Sequence, residues 1–448
     1  MSTIENTQPD APDRTTASQR ARETRRVLIS SYLGSAVEFY DFLLYGTAAA
    51  LVFPTVFFAG LDPAAAVVLS LGTFAAGYIA RPFGGLIFGH FGDRLGRKKI
   101  LIVTLVLMGV ASTLIGLVPG SAAIGSWGAV ILVLLRVVQG IAVGGEWGGA
   151  ALMAMEHSTT GKRGFSASLV AAGAPSGALL GTALMGLFAL LPEEQFFAWG
   201  WRVPFLLSAV LLVIGLWVRA RVSESPVFLE ALARAAETEA AKQPLPVWSV
   251  LRRPKVLILV TLAAAAPFAF QTSMATFAQT YATEVGGSPR SVVLFAYSVA
   301  SFVSIFTVIF AGRLSDRWGR RPVIIAGLVL FAVTAAGLFA MWGSGNGWLV
   351  AVGFTVGLFF QTLAFGPLGA FIGEQFATGA RYTGASLGYQ LGTLLGGGFT
   401  PAILASLYAQ NVGTLPVVLF LGAIAVVSLI AVLLTREGRR NDLTTVQH

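Results

Sequence analysis

The chain has 448 residues, 55% of them hydrophobic and 11% charged, with a mean hydropathy of +0.76. A soluble globule of this length needs far more polar surface, so the composition reads as a polytopic membrane protein. The net charge of +9 lies in loops between apolar runs and implies no nucleic acid, and the absence of cysteine excludes disulfide and thiol chemistry.

Residues 1–26 are polar and Arg-bearing without an apolar h-region, so no cleavable signal is expected and they read as a cytoplasmic tail. The first apolar run, 27–54, carries Gly34, Glu38, Asp41 and Tyr45, whose i, i+4, i+7, i+11 spacing puts them on one helical face. At ~1.5 Å per residue the two acids fall ~16–21 Å along that helix, near the middle of the hydrocarbon. An acid at that depth is costly and usually faces an ion or substrate path. A brace between helices is the alternative, but two acids on one stripe exceed what a brace needs. The second run, 66–91, contains Arg81 and leads into Gly89-His-Phe-Gly-Asp93-Arg-Leu-Gly96-Arg97-Lys98-Lys99. Runs 100–119 and 128–154 follow, the latter with Arg136, Gln139 and Glu146, and runs 166–190 and 203–221 complete a first set.

Residues 222–254 are the longest break. Ser223-Glu224-Ser225-Pro226 and an Ala/Glu/Arg-rich stretch suggest a short amphipathic helix along the inner membrane face. A second set of apolar runs occupies 255–280, 291–311, 322–342, 348–373, 384–408 and 416–435, before a tail at 436–448. Nearly all of the 30 Lys and Arg residues fall in the tails, the central segment and alternate loops, while the opposite loops hold only Arg202 and Arg290. That asymmetry predicts both termini in the cytoplasm.

The two sets repeat. Gly312-Arg-Leu-Ser-Asp316-Arg-Trp-Gly319-Arg320-Arg321 follows the eighth run as the Asp93 loop follows the second. Glu374 and Arg381 follow the tenth run as Glu156 and Arg163 follow the fourth, at nearly the same offset. Parallel repeats are a transporter architecture with the substrate site at their interface near the midplane. The expected fold is an all-α membrane protein of twelve transmembrane helices in two pseudo-symmetric six-helix bundles, 27–221 and 255–435, joined by the cytoplasmic loop 222–254.

Four ionisable residues are expected near mid-depth: Glu38, Asp41, Arg81 and Arg136. Unpaired, each would cost ~2.5–3.5 kcal/mol, so they are expected to compensate one another around a polar cavity. Their formal charges sum to zero. Protonating one acid makes the site cationic and binding a carboxylate restores neutrality, so proton and anion favour each other, as symport requires. This assigns Asp41 as proton carrier, Glu38 as its partner, and Arg81 or Arg136 as carboxylate anchor. Glu146 reads as an inner gate or relay, or as a packing pair. His90 reads as an interfacial residue or a proton shuttle. In the second half Gln271, Tyr297, Tyr389 and Gln390, with Tyr45 and Gln139 of the first, are candidates to hydrogen-bond a small solute, or to bond between helices.

Each loop Asp (Asp93, Asp316) can accept hydrogen bonds from a neighbouring helix N-terminus or pair with its Arg. Pairs of Arg97 with Glu156 and Arg320 with Glu374, beside Arg163 and Arg381, would make a cytoplasmic latch between the halves. Plain topogenic charge is the other reading. The Gly-rich 392–398 run lacks the Lys-Ser/Thr of a phosphate loop, and with three scattered histidines no cofactor, metal site or enzymatic nucleophile is expected.

The paired Gly-x-x-x-Asp-x-x-Gly-Arg loops, Arg136-Val-Val-Gln139-Gly140 and the 6 + 6 layout resemble the major facilitator superfamily. Glu38-Phe-Tyr-Asp41-Phe-x-x-Tyr45, Arg81-Pro-Phe-Gly-Gly, Gly144-Gly145-Glu146-Trp147-Gly148-Gly149 and Gly200-Trp201-Arg202-Val-Pro204-Phe205 are similar to its metabolite:proton symporter branch. That branch includes transporters of shikimate, 2-oxoglutarate, citrate, and proline or betaine. The resemblance implies a monomeric, proton-coupled importer of a small organic acid in the cell membrane, working by alternating access. A zwitterion symporter and an uncoupled facilitator are the alternatives. Because the Arg136 motif recurs in the superfamily whatever the substrate, Arg136 is as well read as a structural or proton-relay residue as an anchor.

Overall fold

The structure, a computed structural model, describes residues 14–95, 97–144, 161–220, 254–376, 381–410 and 413–439, and the single positions 155, 158, 250 and 252. The central amphipathic helix expected at 222–254, Glu146 and Glu156 lie outside the described residues, as do the side chains of His90, Asp93 and Arg97.

Every described segment is helical or a short connection. The first bundle comprises α1 (Arg14–Leu51), α2 (Pro63–Leu95), α3 (Arg97–Leu117), α4 (Trp127–Gly144), α5 (Arg163–Ala171 continued by Gly173–Phe188) and α6 (Arg202–Ala220). The second comprises α7 (Pro254–Ala275 continued by Phe277–Glu284), α8 (Arg290–Trp318), α9 (Arg320–Trp342), α10 (Gly347–Phe365 continued by Leu368–Glu374), α11 and α12 (Leu415–Leu434). α11 is itself segmented into Arg381–Thr393, a π turn at Leu394–Gly398, and Thr400–Gln410. Among the described residues, 10 helices are long and apolar enough to cross a bilayer. The other two are α1 and α3, the latter with the shorter apolar stretch Ile102–Leu117. α1 is helical from Arg14, so the Arg-bearing stretch before residue 27 continues the first membrane helix.

The breaks have local causes. Gly366-Pro367 interrupts α10, because proline removes a backbone donor and crowds the preceding turn. Gly319 ends α8 at φ 106°, a conformation costly for any other residue. Asn346 caps α10 by accepting from the amides of Trp348 and Leu349.

Apolar residues at helical spacing remain on the outer surface: Val299, Phe302, Phe306 and Phe310 on α8, and Leu419, Val426, Ile430 and Leu433 on α12. Such stripes suit lipid and would be a liability in water. Polar residues point the other way, with Glu38, Asp41, Arg81 and Arg136 all buried.

The packing is pseudo-symmetric. α1 packs on α5, α2 on α4 and α3 on α6; α7 packs on α11, α8 on α10 and α9 on α12. Each pairing recurs six helices later, as the duplicated loops imply. The halves meet along two seams, α5 against α8 and α11 against α2, which the same repeat relates to each other.

Candidate functional site

The centre of the first bundle is built on α1. Phe42 and Tyr45 of α1 and Phe74 of α2 receive the Arg136 guanidinium from α4, its carbon 3.8, 4.3 and 4.6 Å from the three ring centroids. A desolvated cation–π contact contributes about 2 kcal/mol, so three rings offset the ~2.5–3.5 kcal/mol cost of a mid-membrane cation. Here the structure departs from the sequence expectation. Arg136 is held by π faces and an amide in place of a carboxylate, and it forms no ion pair with Asp41. Its Nη1 donates to Gln139 Oε1 at 3.0 Å, while Nε and Nη2 make no hydrogen bond. The guanidinium fits because position 77 on α2 is glycine: a Cβ there would lie 2.6 Å from Arg136 Nε.

Gln139 Nε2 in turn donates to Ser112 Oγ on α3 at 2.7 Å. Ser112 lies beside the Asp41 carboxylate, which also feels the Arg136 charge. From the other side Ser208 of α6 donates to Asp41 Oδ1 at 2.5 Å. Asp41 Oδ2 is buried without a hydrogen bond. Tyr45, one turn from Asp41, donates to Thr73 Oγ1 at 2.8 Å. Polar side chains from four helices thus converge on one carboxylate and one guanidinium.

A second cluster lies at the α2–α11 seam. The Arg81 guanidinium stands 4.0 Å from the Phe42 centroid and 4.5 Å from that of Tyr78, so Phe42 is shared by both midplane arginines. Tyr389 of α11 is within electrostatic reach of Arg81, Glu38 and Tyr78, and its ring meets Phe268 edge-on at 4.9 Å. Beside it Gln390 Nε2 donates to the Gly144 carbonyl of α4 at 3.4 Å. Glu38, Arg81, Tyr389 and Gln390, from both halves, therefore come together. Tyr297 does not join them: its ring packs on Phe354 of α10, with centroids 5.3 Å apart. Gln271 is buried in α7. Tyr389 also lines a small cavity with Ala167, Val170 and Ala171 of α5 and Phe365 and Leu368 of α10.

The third site is where α5 begins. The Asp316 carboxylate of α8 accepts from the amides of Gly164 and Phe165, each at 2.9 Å, across the seam. Arg320 pairs with Asp316 at 2.7 Å and with Glu374 at 3.1 Å, and donates to Ser315 at 2.8 Å. The Arg320–Glu374 pair lies within the second bundle, so it does not itself bridge the halves; Asp316 does. Arg163 contributes an attractive charge to Glu374 from the first bundle, and Arg381 Nε donates to the Phe376 carbonyl at 3.3 Å. Gly164 and Gly312 permit the approach: a Cβ on the first would lie 2.3 Å from Arg320 Nη1, and on the second 2.3 Å from Ser168 Oγ. At the opposite end Thr280 of α7 donates to the Ala50 carbonyl of α1 at 3.1 Å. There too, Arg290 lies 4.9 Å from the Phe197 centroid. The halves touch at both ends and at mid-depth.

Sequence reasoning missed Ser112, Ser208, Tyr78, Phe42 and Gly77. Tyr78, one helical turn before Arg81, and Phe42, inside the Glu38–Tyr45 motif, left a signal in the sequence; the serines and the glycine left none.

A profile described as Major Facilitator Superfamily matches residues 42–388 and 287–446. The chain is 43% identical over 428 residues to "Inner membrane metabolite transport protein YhjE" of Escherichia coli K12, covering 93% of this chain and 95% of that protein. It is 38% identical over 443 residues to the "Shikimate transporter" of the same organism, covering 98% and 99%. Among solved structures, a D-xylose-proton symporter aligns with a TM-score of 0.74 at 18% identity, covering 93% of this chain and 99% of that one; this likeness concerns the fold alone. The chain is a multi-pass membrane transporter and no enzyme: it belongs to the major facilitator superfamily and has that family's fold of 12 helices.

Proposed function

We propose that the protein is a proton-coupled secondary transporter that imports a small organic acid, a mono-, di- or tricarboxylate of the shikimate or 2-oxoglutarate kind, by alternating access. The observation that carries this reading is Asp41, buried in the bundle centre with one oxygen bonded to Ser208 and the other free of hydrogen bonds. A carboxylate so enclosed can take a proton without losing a partner. Two guanidiniums share Phe42 nearby, so a protonated Asp41 leaves excess positive charge for a substrate carboxylate to neutralise. Arg81, at the seam with Tyr389 and Gln390, is the anchor best placed to meet a solute between the halves; Glu38 tunes it. The likeness to a shikimate transporter supports an organic acid.

In this reading the Asp316–Arg320–Glu374 cluster, with Arg163 and Arg381, is the cytoplasmic latch of the outward-facing state. Asp93, Arg97 and Glu156 form its counterpart, and Glu146 a gate. The chain works as a monomer in the cell membrane with both termini cytoplasmic, the side favoured by its Lys and Arg distribution.

The test is uptake into proteoliposomes under an imposed pH gradient, screened over aromatic acids, dicarboxylates, tricarboxylates and betaines. Asp41→Asn should abolish accumulation while sparing substrate exchange. Full accumulation by that variant would remove Asp41 from the mechanism. Uptake of betaines alone would favour a zwitterion carrier, and uptake indifferent to the gradient an uncoupled facilitator.

A further inference from the structure

We infer, resting on the reading of Arg81 as the carboxylate anchor, that Tyr78 is a positioning residue for that anchor, and that a glycine notch in α11 of the opposite half holds Tyr78 in place only while the halves are closed. The device begins in the sequence of α11. Leu394–Gly398 forms a π turn, and its Gly396, Gly397 and Gly398 are followed closely by Pro401, which has no N–H to continue the helical ladder back across the turn. Three glycines, a proline and a π turn in one stretch make a hinge between Arg381–Thr393 and Thr400–Gln410.

The hinge is gripped from two sides. Gly396 lies against α7 of its own half, where a Cβ would come 1.8 Å from the Ala265 carbonyl oxygen. Gly397 and Gly398 instead meet α2 of the other half. A Cβ on Gly397 would lie 2.8 Å from both Cζ and Oη of Tyr78, and one on Gly398 would lie 2.9 Å from Tyr78 Cβ. The buried phenol therefore fills a notch that any larger residue would close.

The same ring carries Arg81. The guanidinium carbon is 4.5 Å from the Tyr78 centroid and 4.0 Å from that of Phe42, and the two rings meet at 90° with centroids 4.9 Å apart. Phe42 is fixed within the first half, where it also receives Arg136. Tyr78, bordered by Phe74 of its own helix at 5.2 Å, is fixed by the notch across the seam. Opening between α2 and α11 withdraws the notch and gives Tyr78 room to turn. Arg81 then loses one of its two planar contacts and can extend toward an incoming anion. Closing reseats the ring and returns the guanidinium to one plane. No covalent bond changes, and the position of the second half is read by an anchor on the first.

The experiment measures KM and maximal rate for counterflow of radiolabelled shikimate, or of whichever acid the uptake screen selects, in proteoliposomes holding equal amounts of monodisperse protein. Tyr78→Leu removes the ring face and should raise KM about tenfold. Tyr78→Phe keeps the ring and should restore KM to within about twofold of wild type. Arg81→Lys should also raise KM about tenfold, because an ammonium has no plane to stack, so adding Tyr78→Leu to it should change KM by less than about twofold. Gly397→Ala sets a methyl 2.8 Å from the ring; alone it should raise KM about tenfold, and it should add little to Tyr78→Leu. A rise of about 100-fold in either double variant, the product of two single effects, shows independent packing defects and overturns the device. So does a wild-type KM in Tyr78→Leu. The Arg81 and Tyr78 variants carry the test if Gly397→Ala does not assemble. A wild-type KM in Arg81→Lys sinks the reading of Arg81 as anchor instead.

Discussion

At the scale of single residues, space matters as much as charge. Arg136 is tolerated at mid-depth because three aromatic rings receive it and because Gly77 withholds a side chain where its Nε lies. Gly77→Ala puts a methyl 2.6 Å from that nitrogen, inside van der Waals contact, so the guanidinium must shift within its aromatic box. The expected outcome is displacement of Arg136 from Gln139 and overpacking of about 1–3 kcal/mol. Uptake should fall at least tenfold while the protein still reaches the membrane, a split checked by transport against surface expression. Wild-type transport by this variant would mean that the position of Arg136 does not matter. Arg136→Lys should behave similarly. An ammonium makes no planar contact with three rings.

At the scale of helices, much was legible in the chain. The apolar runs gave the spans because bilayer thickness sets one length for all of them. The two acids on α1 stood out because charge at that depth is expensive. The repeat of Asp316 and Arg320 against Asp93 and Arg97 marked the helix junctions. Ser112, Ser208 and Gly77 were not legible, since serine and glycine are ordinary residues of membrane helices and only the packing of α1, α2, α3, α4 and α6 gives them a role. The site of the seam contact was misread for a related reason. Opposite charges suggest a bridge, but Arg320 and Glu374 close a pair inside one bundle, and the crossing is made by a carboxylate on backbone amides. Backbone donors have no sequence signature. Glu437 adds to the same junction, accepting from the amides of Arg320 and Arg321 at 3.0 Å each, at the start of α9. Glu437→Gln keeps the shape and loses the charge that suits a helix N-terminus. It should cost about 0.5–1 kcal/mol, read as a fall of a few degrees in the melting temperature of the purified protein. No change in melting would show that the cap is energetically idle.

At the scale of the whole molecule, the halves touch at both ends, and alternating access requires that these contacts break one set at a time. The Asp316 end is held by two charge-assisted hydrogen bonds, each worth about 1.5 kcal/mol; toward the opposite end the described residues offer two neutral hydrogen bonds, Thr280–Ala50 and Thr182–Ser298, and Arg290 over Phe196 and Phe197. Removing the stronger set should therefore tip the equilibrium toward opening at the Asp316 end. Asp316→Asn replaces a bidentate anion by an amide with one acceptor, so one bond goes and the other loses its charge, a loss of about 2 kcal/mol or roughly a 30-fold shift. Because the chain has no cysteine, one introduced thiol reports without background. Ser168→Cys sits against Gly312 at the Asp316 end, and Thr280→Cys at the other; both positions are at most 8% exposed. In the Asp316→Asn background, maleimide should label position 168 faster and position 280 more slowly than in the parent. Opposite movement at the two ends is the signature of rocking about the mid-depth site. Faster labelling at both would mean that the halves had merely loosened, and unchanged rates would make the Asp316 contact a bystander.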